Sequence, residues 1–156
     1  IELMVVMAII AIVGTIALPA FRDMLASNRI VTSANELVTS FHQARSEAVR
    51  RSDTVTVAAC KPDCGATGTA AWSNGWQTSV AGTVIAEHAA LASNITATAN
   101  GATAFALSYD YSTQGRLGIS VQHQILLCDA NRSGEAGRLI TLEPIGRVSV
   151  TTTPCP

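Results

Sequence analysis

The chain has 156 residues, of which 48% are hydrophobic, 13% charged and 4% aromatic, with a formal net charge of -1. That length holds an anchor and one domain of ordinary size, and the charge fraction is about half the usual globular value. A near-neutral charge gives no whole-protein attraction to nucleic acid, and the scarcity of aromatics argues against a single-strand stacking platform.

The first residues, IELMVVMAIIAIVGTIALPAF, form an apolar run whose only charge is Glu2. At ~1.5 Å per residue, Leu3 to Ala20 is long enough to cross the roughly 30 Å hydrocarbon core of a bilayer. A cleaved secretory signal has a shorter apolar core behind a basic region, so this segment reads as retained. An acid at the lipid end of a span costs a few kcal/mol and points to a function with a partner. The plainer alternative is an anchor with Glu2 just outside the lipid. Gly14 and Pro19 predict a kink or local melting between them, because proline removes a helix hydrogen bond and clashes with the preceding turn.

Beyond Pro19 the run becomes amphipathic. Phe21, Leu25, Val31, Ala34, Leu37, Val38, Phe41, Ala48 and Val49 recur at three- and four-residue steps, which predicts one helix to about Arg51. Arg22, Asp23, Arg29, Glu36, Arg45, Glu47 and Arg50 occupy the remaining face, so the stripe must lie on a partner. Short β-prone runs supply it: Val55 to Ala59, Trp76 to Val80, Ala104 to Tyr109, Ile119 to Leu127, Leu139 to Leu142 and Val148 to Thr151. The pattern predicts an α+β domain in which the helix covers one face of an antiparallel sheet. Ala44 and Ala48, with Arg45 and Glu47 beside them, are expected where the helix closely meets the first strand. Trp72 and Trp76 are expected to cap the edge of the core, with Asn74-Gly75 as a type I′-like hairpin turn. Gly115 and Gly146 are expected in turns with positive φ.

Catalytic signatures are lacking. His42, His88 and His123 are scattered without metal spacing, no Gly-x-Ser-x-Gly elbow or phosphate loop occurs, and nothing calls for a cofactor. Cys60 and Cys64 do not have the two-residue spacing of a thioredoxin-like redox pair. A periplasmic body makes disulfides the default for the even set Cys60, Cys64, Cys128 and Cys155. Zinc is the alternative, but it wants tightly spaced ligand pairs, and Cys128 and Cys155 lie far apart. The expected bridges are Cys60 to Cys64 and Cys128 to Cys155, the longer loop stabilising more. Asn94-Ile-Thr96 fits a glycosylation sequon.

The N-terminal run is similar to the helix that opens type IV pilins and type II secretion pseudopilins, Gly14 and Pro19 included. Five further blocks narrow the resemblance: Asn35-Glu-Leu37, Ala44-Arg-Ser-Glu-Ala48, Trp72-Ser-Asn-Gly-Trp76, Tyr111-Ser-Thr-Gln-Gly115-Arg116 and Gly146-Arg-Val148. In order and spacing they resemble the GspH/FimT family of minor pilins and minor pseudopilins. The resemblance implies a pilin-like fold, with a transmembrane and assembly helix over residues 1–21 and a periplasmic domain over 22–156. It also implies that Glu2 pairs with the N-terminal ammonium of a neighbouring subunit, and that the chain works with other pilin subunits at a filament tip or initiation complex. Anchoring in the inner membrane, with maturation and methylation by prepilin peptidase, belongs to the same expectation, as does a start a few residues upstream of Ile1. Whether the filament is a secretion pseudopilus or a type IV pilus is left open. Some FimT-like members bind DNA through a C-terminal Gly-Arg-x-Arg element. Here Gly146-Arg147 is kept and Ser149 replaces the second arginine, so a DNA-uptake alternative would rest on Arg147, with Arg138 and Arg132 in support. Arg116, Arg132, Arg138 and Arg147 outnumber Asp129, Glu135 and Glu143 there by one. A third reading, a membrane-anchored periplasmic domain outside any filament, would make Glu2 dispensable.

Overall fold

The computed structural model describes residues 1–65, 69–100, 105–132, 134 and 136–156. Helix α1 (Glu2–Arg51) has 50 residues, about 75 Å of rod. It runs unbroken through Gly14 and Pro19, so the expected local melting does not occur. Helix nucleation is the costly step, and a turn already flanked by helix survives the loss of one hydrogen bond. Ser52 stops it in the left-handed conformation at φ 52°, its N–H bonded to the carbonyl of Ala48, with Arg50 and Arg51 placed favourably in the last turn.

Eight strands follow: β1 (Val55–Ala59), β2 (Trp76–Val80), β3 (Thr83–His88), β4 (Ile95–Ala99), β5 (Ser108–Tyr111), β6 (His123–Asp129), β7 (Ala136–Leu142) and β8 (Val148–Pro154). They form two antiparallel four-stranded sheets, ordered β3-β2-β1-β5 and β4-β6-β7-β8, rather than the single sheet expected. Strands β3 and β4 had no clear signal: every residue of β3 but His88 is exposed, and β4 is Ile-Thr-Ala-Thr-Ala. The strand expected from Ala104 begins outside the described residues, and regular pairing covers Ser108–Tyr111.

Helix α1 lies against both sheets. Ile30, Ala34, Leu37, Phe41, Ala44 and Ala48 are buried at alternating steps of four and three, in one core with Val55 and Val57 of the first sheet and Ile125, Leu127, Ile140 and Leu142 of the second. Alanines at three of these positions, Ala34, Ala44 and Ala48, bring the helix close to the strands. Phe21, Leu25 and Val49, expected in the stripe, are exposed.

The tryptophans correct a second expectation. Trp72 and Trp76 do not cap the core; they are its largest wholly buried side chains. Each indole N–H finds a partner, Trp72 Nε1 donating to the Ala106 carbonyl at 2.9 Å and Trp76 Nε1 to Ser40 Oγ at 2.8 Å, which permits full burial. Nor is Asn74-Gly75 a hairpin turn. Trp72–Asn74 is a 3-10 turn with no strand before it, ended by Gly75 at φ 92°. A β-carbon on Gly75 would stand 2.2 Å from the carbonyl oxygen of His88, so only glycine fits. Phe41 packs its ring against Trp72, Tyr109 and Tyr111 with centroids 5.7 to 6.5 Å apart.

Candidate assembly site

The helix divides into two chemically different halves. From Leu3 to Met24 every large apolar side chain described is more than half exposed, whereas Ile30, one turn and a half further on, is 3% exposed. Glu2 sits exposed in the first turn, where the helix dipole favours a negative charge. Among the described residues no helix is long and apolar enough to cross a membrane; the side chains of Ile16, Pro19 and Ala20 lie outside the described set.

Cys60 is joined to Cys64 across four positions, just after β1, and Cys128 to Cys155 across 27 positions, tying the residue after β8 to β6. Gly137 makes room for the second bridge: a β-carbon there would lie 2.7 Å from Cys155 Sγ and 2.7 Å from the Leu127 carbonyl.

The three candidate DNA-binding arginines are not brought together. In the turn between β7 and β8, Arg147 pairs with Glu143 at 2.8 Å. On β7 itself, Arg138 donates to Thr152 Oγ1 at 2.7 Å. In the loop before β7, Arg132 donates to the Asp23 carbonyl at 3.2 Å and faces its carboxylate at 3.8 Å. Arg132 and Arg147 thus lie at opposite ends of β7, whose seven residues span about 24 Å. Glu135 lies outside the described residues.

Sequence reading missed a groove of about 420 Å³ between α1 and the β2–β3 hairpin. Its helix wall is the polar row Thr32, Asn35, Glu36, Thr39, Ser40 and Gln43; its sheet wall is Trp76, Thr78, Ala86, Glu87 and His88. His88 stacks on Trp76 with centroids 4.0 Å apart, its Nδ1 2.8 Å from the Ala89 carbonyl and its Nε2 3.1 Å from Glu36 Oε2. The signal was in the sequence, six polar residues at three- and four-residue steps, but such a row reads as a solvated face.

Burial and hydrogen bonding shift several groups. Tyr109 is pushed up to about 12 by desolvation, and desolvation raises Tyr111 further still. Among the described residues the buried Tyr111 hydroxyl has no hydrogen-bond partner. Desolvation lowers His123 from its ordinary value, and hydrogen bonds from Arg50 and Arg51 lower Glu47.

Comparison with known proteins agrees with this architecture. The family model described as type II transport protein GspH matches residues 33–146. A crystal structure of the type IV minor pilin FimU of Pseudomonas aeruginosa has a similar fold, with a TM-score of 0.66 at 20% identity over 83% of this chain and 97% of that one. A second crystal form of FimU gives 0.63 at 20% identity over 80% and 98%. No curated protein matches the chain.

Proposed function

The chain belongs to the GspH family of type II transport proteins, and from that premise we propose that it is a minor pseudopilin or minor pilin placed at the tip or initiation complex of a filament. Family and fold make it a structural subunit and not an enzyme. The observation that carries the reading is the divided helix, whose described large apolar side chains are bare to Met24 while the stripe from Ile30 to Ala48 is buried by its own domain. A bare apolar rod of that size is stable only where something else covers it, lipid before assembly and neighbouring helices after. In this reading residues 1–21 anchor the subunit in the inner membrane after prepilin peptidase has acted, and residues 22–156 stand in the periplasm. Glu2 then serves assembly, because a carboxylate among apolar helices needs a cationic partner. No feature of the described residues favours the DNA-uptake alternative, since Arg132, Arg138 and Arg147 are each engaged and spread along β7.

Co-purification from native membranes tests the proposal. Pilin-class subunits are expected to come down with the chain, and neighbouring genes then tell a secretion system from a pilus. Recovery of the chain from membranes without any pilin-class subunit would overturn the filament reading.

A further inference from the structure

His88 ties the β2–β3 hairpin to the helix through a closed ring of contacts. The strand register sets it opposite Trp76, and the two rings stack with centroids 4.0 Å apart and planes 5° from parallel. Trp76 Nε1 donates to Ser40 Oγ at 2.8 Å, and Ser40 Oγ donates in turn to the Glu36 carbonyl at 3.0 Å. Glu36 closes the ring with its side chain, Oε2 lying 3.1 Å from His88 Nε2. The other nitrogen, Nδ1, is 2.8 Å from the Ala89 carbonyl. That carbonyl is packed against Gly75, where a β-carbon would lie 3.0 Å from its oxygen, and Leu91 N–H holds the following turn by donating to the Ser73 carbonyl at 2.9 Å.

Both oxygens that face the imidazole can only accept. A neutral ring carries one N–H and satisfies one of them, whereas imidazolium carries two and satisfies both. A cation also gains from the indole face beside it. The charged group facing the ring from α1 is Glu36; β2 brings Trp76 and Thr78, neither of which titrates. Glu87, beside His88 on β3, pairs with Gln77 and so stands on the other face of the sheet. Among the described residues no lysine or arginine lines the groove.

We propose that His88 is a proton-gated clasp, closed between hairpin and helix when its ring is imidazolium and released when the ring is neutral. Without the second proton one nitrogen turns a lone pair toward an oxygen, and at Nε2 that oxygen belongs to a carboxylate. Strand β3 then loses its tie across the groove of about 420 Å³. The contribution of the clasp is thus present at acid pH and lost as pH rises through the histidine range. It does not depend on the filament reading.

A double-mutant cycle on the detergent-solubilised full chain tests the clasp, using His88→Phe, which keeps a ring on Trp76 without either N–H, Glu36→Ala, and the two combined. Melting temperatures are taken at about pH 5.5 and about pH 8. His42 and His123 are present in all four proteins, so their titration cancels in the cycle. The coupling between His88 and Glu36 is expected to be about 1–3 °C at the lower pH, as suits a half-exposed pair, and to fall by at least half at the higher. Tryptophan emission gives a second readout, because stacked imidazolium quenches indole more than neutral imidazole does. Emission should rise between the two pH values in the unmodified chain and lose that rise in His88→Phe. Equal coupling at both pH values, coupling at neither, or an emission profile that His88→Phe leaves unchanged would each overturn the clasp.

Discussion

Gly146 rests against the carbonyl of Gly115: a β-carbon on Gly146 would stand 2.1 Å from that oxygen and 3.3 Å from the Tyr111 ring. Gly115 follows β5 of one sheet and Gly146 lies between β7 and β8 of the other, so this contact joins the two sheets beneath α1. Arg45 closes it from above, its Nε 3.0 Å from where a Gly115 β-carbon would be. Both glycines have positive φ, 72° and 83°.

Gly146→Ala is therefore expected to destabilise the protein by about 3 kcal/mol or more, left-handed strain adding to a backbone clash. Gly82 has φ 80° with nothing within 4 Å of its would-be β-carbon, so Gly82→Ala should cost only about 1–2 kcal/mol. Urea unfolding of the detergent-solubilised variants measures the difference. Equal losses would mean that the contact between the sheets yields freely.

The two disulfides should differ in weight. Loop entropy assigns about 3.5 kcal/mol to closing a loop like Cys128–Cys155 and about 2 kcal/mol to one like Cys60–Cys64. Replacing Cys128 and Cys155 by serine should lower the melting temperature more than replacing Cys60 and Cys64. The opposite order would show that β8 is held by its strand pairing alone.

Alkaline stability has a clear optical readout, because the chain's two tyrosines are Tyr109 and Tyr111, both buried. Their phenols are raised above the ordinary value of 10.0, Tyr109 to about 12. An unfolded chain releases both protons near 10 while the native one keeps them, so stability is intact below pH 10 and falls as pH rises from there toward 12. Phenolate absorbance should appear together with loss of fold. Ionisation near 10 in folded protein would contradict the burial of these rings.

Glu2→Gln is expected to stay in the membrane fraction while losing most of its recovery with sheared filaments, since the rest of the apolar run suffices for anchoring. Undiminished incorporation would remove Glu2 from assembly.

Affinity of the protein for duplex DNA is expected to be weak and to fall steeply with salt, because the arginines of the β7 region are dispersed. Arg147→Ala should lower the slope of log affinity against log salt by about one. A mobility-shift titration checks this, and tight binding unaffected by the substitution would place a DNA surface elsewhere.

Helix and first strands were legible because their signals are local. The three- and four-residue steps carried α1 to Arg51, and β1 and β2 begin and end where their β-branched and aromatic runs do. Partition into two sheets is a matter of long-range pairing, as between Val57 and Tyr109, which no local period encodes. Exposed β3 had no buried face to impose alternation, and Asn74-Gly75 offered hairpin chemistry without flanking strands. The groove escaped notice because Glu36 and Thr39 look identical in sequence whether they face open water or a recess under β3. Glu2, by contrast, stood out at once, a single charge in an otherwise apolar run.

Traction along α1 has a defined route through the molecule. Ile30 to Ala48 interlock with both sheets, so a pull entering at the bare end is resisted as shear across many side chains at once, not by peeling one edge strand after another. The bridge from Cys128 to Cys155 keeps the last strand from fraying under the same load. Pushed or drawn by its rod, the head travels as one piece.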